Sequence, residues 1–496
     1  MSDTDLEARH LETLDRDLGR FAKLEMAAAY VSRPLVAPGI AFVFIAIAGL
    51  AAAMLLGGNS QVLIVAAAAV FGAYMALNIG ANDVANNMGP AVGANALSMG
   101  GAIAIAAIFE SAGALIAGGD VVSTIATGIV APDTLDTPIL FIWAMMAALL
   151  ASALWINLAT WIGAPVSTTP AVVGGVVGAG IAAAGFGAVN WMQLAAIAAS
   201  WVISPLLGGV AAAAFLWFIK ARIVYRDDKI AAARVWVPVL VGVMAGTFAT
   251  YLMMKGLKQL IAVPMGMALL IGVAVGLAGW LAMIPVIRRQ SRGLENRNKS
   301  LKVLFGIPLV VSAALLSFAH GANDVANAVG PLAAIVQTSQ TGNFGDAVAI
   351  PLWVMLIGAF GISFGLCLFG PKLIRMVGNQ ITKLNPMRAY CVSLSAAITV
   401  ILASWLGLPV SSTHIAIGAI FGVGFFREWD AERRLKLARL ALPDAESIPS
   451  EERSRRKLVR RSHVLTIGAA WIVTVPAAAI LSAILFLLLR QIPVAG

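Results

Sequence analysis

Two stretches of this sequence set a carboxylate among amides inside otherwise apolar runs: GANDVANNMGP at 80–90 and GANDVANAVGP at 321–331. An unpaired carboxylate at such a depth is costly, so acids there face an aqueous path and bind a proton or a cation. Asp83 and Asp324 supply the charge, and Asn82, Asn86, Asn323 and Asn327 surround them with neutral carbonyl oxygens. Asp83 and Asn86 stand three residues apart, as do Asp324 and Asn327, so each pair can share one helical face. Carboxylate, amide and backbone carbonyl oxygens make a hard site, at Asp83 and Asp324, suited to a small cation. The glycine before each motif and the Gly-Pro after it would allow the local unwinding that frees backbone carbonyls. The bland alternative is hydrogen bonding between helices.

A second pair of motifs points to the opposite charge. Ser167, Thr168 and Thr169 follow Pro165, and Ser411, Ser412 and Thr413 follow Pro409. A proline at a helix start leaves the next amides free, and hydroxyls add donors, so an oxyanion is attracted without a fixed positive charge. Alone, such a cluster is more often a cap or glue between helices; its duplication beside the GAND motif favours a ligand. No Lys, Arg, Asp or Glu falls between Asp136 and Lys220, and no Lys or Arg between Arg388 and Arg427. A dianion beside two aspartates would be repelled unless cations came with it. The expectation is that oxyanion and Na⁺ or H⁺ occupy the site together, with mutual neutralisation supplying the coupling.

These groups must be held by membrane helices. The 496 residues are 60% hydrophobic and 12% charged, with a mean hydropathy of +0.90. A soluble domain carries about 25% charged residues, so a soluble enzyme is excluded. Apolar runs fall at about 35–57, 62–97, 101–118, 138–160, 165–187, 190–219, 235–254, 261–286, 303–336, 351–370, 389–407, 409–425 and 464–490. The runs 62–97 and 303–336 are too long for one plain helix and read as broken crossings. The net charge of +10 invites a nucleic-acid reading, but the basic residues gather in short gaps between runs, at 220–234, 288–302, 372–388 and 427–463. With thirteen crossings and a cytoplasmic N-terminus all four gaps lie inside, and the loop with Asp120, Asp133 and Asp136 lies outside. Cys367 and Cys391 build neither a disulfide framework nor a metal site. The charged N-terminus does not read as a cleaved signal peptide.

The motif copies are separated by 241 residues for GAND and 244 for the hydroxyl clusters. The chain then divides into a cytoplasmic amphipathic segment (1–34), an extra transmembrane helix (35–57), a first repeat (62–219), a two-helix linker (220–302) and a second repeat (303–490). The second repeat holds a charged cytoplasmic insert at 427–463. On the charge-derived topology the repeats are inverted. The expected fold is an all-α polytopic membrane protein with two inverted-topology repeats, broken or re-entrant helices and about 12–13 transmembrane segments.

The doubled GANDVAN and PVS(S/T)T motifs resemble those of the inorganic phosphate transporter (PiT) family over nearly all of 62–490. The resemblance implies symport of inorganic phosphate with a cation, Na⁺ favoured over H⁺, by alternating access. Asn82, Asp83, Asn323 and Asp324 match cation-site residues, and the two hydroxyl clusters match phosphate ligands. It also implies no enzymatic activity, no cofactor beyond the coupling ion, a bacterial inner (plasma) membrane as location, and allows a homodimer. Sulfate carriers share the general signature. Rival classes are an anion channel, which inverted halves with broken helices fit less well, and an intramembrane aspartyl protease, for which no further motif is present.

Several residues break the symmetry. Glu110, in a Phe-Glu-Ser-Ala-Gly context, resembles a glutamate important in some family members, yet the region around Phe360 and Gly361 has no acid; coupling and structural pairing are both open to it. Asn78 has Ala319 as its counterpart. His320 stands where the first copy has Ile79 and reads as a hydrogen-bonded structural histidine, with proton coupling as the alternative. His414 stands where the first copy has Pro170, as a candidate for tuning anion binding.

Overall fold

The computed structural model describes residues 35–57, 61–131, 134–162, 166–256, 263–342, 350–380, 384–441 and 461–492. The amphipathic segment 1–34, Asp133, Pro165, Lys383 and residues 442–460 of the charged insert lie outside the described residues. In a bilayer core every backbone group must be satisfied internally, which a helix does within one segment. Among the described residues eleven helices are long and apolar enough to span a bilayer, and the chain is an all-helical integral membrane protein. They begin with α1 (Leu35–Leu55), α2 (Val62–Gly93) and α3 (Met99–Ala117), which the short α4 (Gly119–Thr127) extends. Next come α5 (Pro138–Ile162), α6 (Thr168–Ala184), α7 (Trp191–Ile219) and the linker pair α8 (Lys229–Tyr251) and α9 (Met265–Gln290). A short α10 (Asn298–Leu304) precedes α11 (Gly306–Asp324), α12 (Ala326–Thr341), α13 (Leu352–Gln380), α14 (Pro386–Trp405), α15 (Ser412–Ala441) and α16 (Arg461–Leu489).

The two apolar runs that do not appear among those eleven spans are the ones headed by hydroxyl clusters. Helix α6 has only 17 residues, about 26 Å at 1.5 Å per residue, short of a bilayer core of about 30 Å. Helix α15 has 30 residues, but its second half is the charged REWDAERRLKLARLA stretch. That half is the helical start of the 427–463 insert. There the Lys220 ammonium pairs with Asp430 at 2.6 Å, and Tyr225 donates to the same carboxylate. Several basic residues read as loop charges sit on helix ends instead: Lys220 and Arg222 continue α7 as a π-turn, and Lys372 and Arg375 lie within α13.

Local unwinding at the GAND motifs is not what the structure contains. Helix α2 runs unbroken through the first motif. At the second, only Val325 separates α11 from α12, and its φ of −56° and ψ of −31° are still helical. The non-helical backbone that reaches the motifs comes from two tips, 166–167 before α6 and 406–411 before α15.

The glycine that opens each motif serves a close helix crossing. A Cβ on Gly80 would overlap the carbonyl oxygen of Ile362 on α13, and one on Gly321 would overlap that of Glu110 on α3. The return contacts follow the same pattern: Gly365 lies on the backbone of Leu77, and Gly113 on that of Phe318. Ser111 and Ser363 meet at 2.6 Å between α3 and α13, 252 residues apart like Gly113 and Gly365. Each motif helix is thus clamped by a helix from the far half of the chain. The same exchange recurs where Gly174 and Gly178 of α6 meet α16, and Gly418 and Gly422 of α15 meet α7.

Candidate functional site

The crossings bring both motif pairs to one place. Of the twelve predicted ligands, ten are buried, and Asn82 and Asn86 are half-buried. Asp83 accepts three hydrogen bonds: from Asn82 Nδ2 at 2.9 Å, Thr168 Oγ1 at 2.9 Å and Thr413 Oγ1 at 3.0 Å. One carboxylate therefore touches both hydroxyl clusters. Ser412 Oγ donates to Asp324 at 2.9 Å. The second asparagine of each motif reaches the other half's cluster: Asn86 Nδ2 donates to Thr413 Oγ1 at 2.8 Å, and Asn327 Nδ2 to Thr169 Oγ1 at 3.1 Å. The first asparagine instead holds its own half's tip, Asn82 to Val166 O at 3.0 Å and Asn323 to Leu408 O at 3.2 Å.

The tips also touch each other, since Thr169 Oγ1 donates to Val410 O at 3.0 Å. They differ in one capping bond. Ser411 Oγ accepts from the backbone N–H of His414 at 3.1 Å, a helix N-cap. Ser167 makes no side-chain cap bond at the start of α6, because Pro170, at the matching place, has no N–H to give. The contribution of His414 that the structure shows is this backbone donor.

His320 lies at the centre of the cluster. Its Nε2 is 2.8 Å from Asp324 Oδ2 and 3.8 Å from Asp83 Oδ2, and its Nδ1 is 3.3 Å from Glu110 Oε1. Glu110 also accepts from Asn87 Nδ2 at 2.8 Å. The signal for His320 was its place one residue before Gly321: four residues before Asp324, it shares that helix face. Asn87, which binds Glu110, carries no signal of its own in the sequence beside Asn86.

Three carboxylates so deep require positive charge in or beside them. Asp83, His320 and Asp324 offer ligand atoms within 4.8 Å of one another. Asp324 Oδ1, Glu110 Oε2 and Asn327 Oδ1 are buried acceptors with no hydrogen-bond partner among the described residues. Buried acceptors are normally satisfied, so these oxygens fit a bound cation. The hydroxyls and helix starts of α6 and α15 beside them fit an oxyanion.

A family profile described as phosphate transporter family matches residues 79–482, which contain both motif pairs. The chain belongs to that family. A Helicobacter pylori relative named "Putative phosphate permease" is 46% identical, over 95% of this chain and 98% of its own. An Arabidopsis thaliana relative, inorganic phosphate transporter 2-1, chloroplastic, is 36% identical over 84% of this chain and 70% of its own. Among solved structures, the sodium-dependent phosphate transporter is 34% identical and superposes with a TM-score of 0.78, over 87% of this chain and all of that one. The family and the fold together make this protein a membrane transporter.

Proposed function

We propose that the protein imports inorganic phosphate by symport with a cation, Na⁺ ahead of H⁺, by alternating access between two inverted halves (62–219 and 303–490) in a bacterial inner membrane, with the N-terminus cytoplasmic. The supporting observation is the bonding of Asp83 to hydroxyls of both clusters, 2.9 Å to Thr168 and 3.0 Å to Thr413. Those hydroxyls are engaged by a carboxylate until a cation draws its charge away and leaves them to donate to phosphate. Cation and anion then bind each more tightly in the other's presence, which is thermodynamic coupling. Glu110 would serve as a coupling residue through His320. The position of His320 between the carboxylates also favours a second reading, in which H⁺ is the coupling ion.

Uptake of labelled phosphate and sulfate into proteoliposomes, each under an imposed Na⁺ or H⁺ gradient, tests the proposal. Accumulation of phosphate driven by inward Na⁺, with sulfate a weak competitor, is the expected result. Uptake indifferent to both gradients would sink symport; drive by the proton gradient alone would select the second reading. In the same assay, Asn86→Ala and Asn327→Ala are each expected to raise the phosphate KM about fivefold with a smaller change in maximal rate. Each removes hydrogen bonding, worth about 1 kcal/mol, that aims a ligand hydroxyl: Thr413 for Asn86, and Thr169 with a longer contact to Thr168 for Asn327. An unchanged KM in both would show that the crossed bonds do not position the clusters.

A further inference from the structure

A cavity of about 1090 Å³ opens beside the site, between the start of α1, the middle of α2, the end of α5 and the later turns of α13. Its polar lining includes Asn78, Asn157 and Thr160, and Lys372 and Arg375 stand exposed on its α13 wall. No carboxylate occurs among the described residues that line it. A row of polar groups runs from it to the buried cluster. Asn157 Nδ2 donates to Asn78 Oδ1 at 3.3 Å; one turn on, Thr160 Oγ1 lies 3.5 Å from Asn82 Oδ1, and Asn82 donates to Asp83 at 2.9 Å. Asn157 is exposed on a helix whose mean hydropathy is 2.3. An amide there is costly against lipid and at home against water.

The matching positions in the other half carry none of this. At the motif offsets of 241 and 244, Asn78 and Asn157 correspond to Ala319 and Ile401. At the 252-residue offset of Ser111 and Ser363, Lys372 corresponds to Asp120 and Arg375 to Ser123. Asp120 is paired with Lys255, in the π-turn Leu252–Gly256 that follows the linker helix α8. The cleft by Ile401 and Trp405, about 610 Å³, is walled mainly by apolar and small residues, with Thr247, Thr250, Tyr251 and the Asp120-paired Lys255 among them. One scaffold used twice has thus been made polar and basic on one side, apolar and closed by an ion pair on the other.

We infer that the cavity is the anion's aqueous route between the cluster and the cytoplasm, with Lys372 and Arg375 setting a positive field at its mouth and Asn157 and Asn78 as neutral donors along the way. Two fixed positive charges facing a low-dielectric cleft raise the local anion concentration. Neutral amides pass a dianion along the route without holding it as a lysine would. This rests on the phosphate-symport reading, since it names the path of the same substrate. The charge scheme of the sequence places this mouth on the cytoplasmic side.

The test is thiol labelling of the full chain in lipid nanodiscs, where both faces are accessible. Cys367 is replaced by Ala, and Cys391 is buried and stays. In that background Asn157→Cys is expected to react about tenfold faster with an anionic methanethiosulfonate than with a cationic one of similar size. Ile401→Cys should react with neither at a comparable rate. Adding Lys372→Gln and Arg375→Gln should bring the two rates together. Thr160→Cys gives the same readout should Asn157→Cys fail to fold. Equal rates with both reagents, a preference that survives loss of the two basic residues, or no reaction at either position would overturn the route. Phosphate uptake by the unsubstituted protein is measured separately. A charge preference without uptake would remove the symport reading and leave an anion path; uptake without the preference would remove the path alone.

Discussion

Asp83→Asn and Asp324→Asn are each expected to lower the initial rate of phosphate uptake by about 100-fold and to leave the folded protein intact. Asn keeps the size of Asp. The hydroxyls of Thr168, Thr413 and Ser412, which donate to these carboxylates, can rotate and accept from an amide instead. The local packing therefore survives and only the charge is lost. Without that charge the cation loses a ligand it meets in a desolvated site, where removing one charged partner costs about 3 kcal/mol. At 1.36 kcal/mol per tenfold, that is the expected 100-fold. Stability should move the other way. Removing one of several crowded buried carboxylates relieves repulsion, so the thermal midpoint in Na⁺-free buffer should hold or rise. The added stabilisation that Na⁺ gives a native state with a Na⁺ site should disappear. Uptake within threefold of the unsubstituted protein in either variant would remove that carboxylate from the cation site.

The chemistry was legible where it was written twice. Both GAND motifs and both hydroxyl clusters stood out because their polar residues interrupt apolar runs and recur at matched spacing. His320 has no counterpart in the first copy, so the sequence leaves it between a structural and a proton-coupling role; its 2.8 Å approach to Asp324 and 3.3 Å approach to Glu110 bring it into the cluster. The crossed bonds, Asn86 to Thr413 and Asn327 to Thr169, were not legible. Periodicity reports which face of its own helix a residue occupies, not which of two similar partners it meets. The glycines misled for a related reason. Gly80 and Gly321 read as weak points in a helix, yet a missing side chain also permits close approach, and their surroundings show that use. The two apolar runs that fall short of a full-length apolar span are those that begin within the site. There the chain is apolar because it is buried in protein: Thr168–Gly180 is buried throughout.

Gly321→Ala is expected to cost about 3 kcal/mol of stability and to abolish transport, although it adds one methyl group to a residue that ligates nothing. The new Cβ would overlap the carbonyl oxygen of Glu110 and stand 2.8 Å from its Cα. Both are backbone atoms, which cannot turn aside as a side chain can, so α3 and α11 must separate. Overpacking of this kind typically costs 1–3 kcal/mol, and a rigid helix pair lies at the top of that range. The separation would also carry Glu110 away from His320 and Asn87, so any folded fraction would have an altered cluster. Thermal unfolding measured beside uptake distinguishes this outcome from that of Asp324→Asn, in which stability holds and transport falls. Gly266→Ala is the control: nothing lies within 4 Å of its Cβ, and alanine in a helix should stabilise by about 0.5–1 kcal/mol. Gly80→Ala meets the same backbone obstacle at Ile362, which has no charge to displace, so its loss of transport should follow its loss of stability. A Gly321→Ala protein that unfolds and transports like the unsubstituted one would overturn the close crossing, and with it the argument that GAND begins with glycine to seat one motif helix on the other half's backbone.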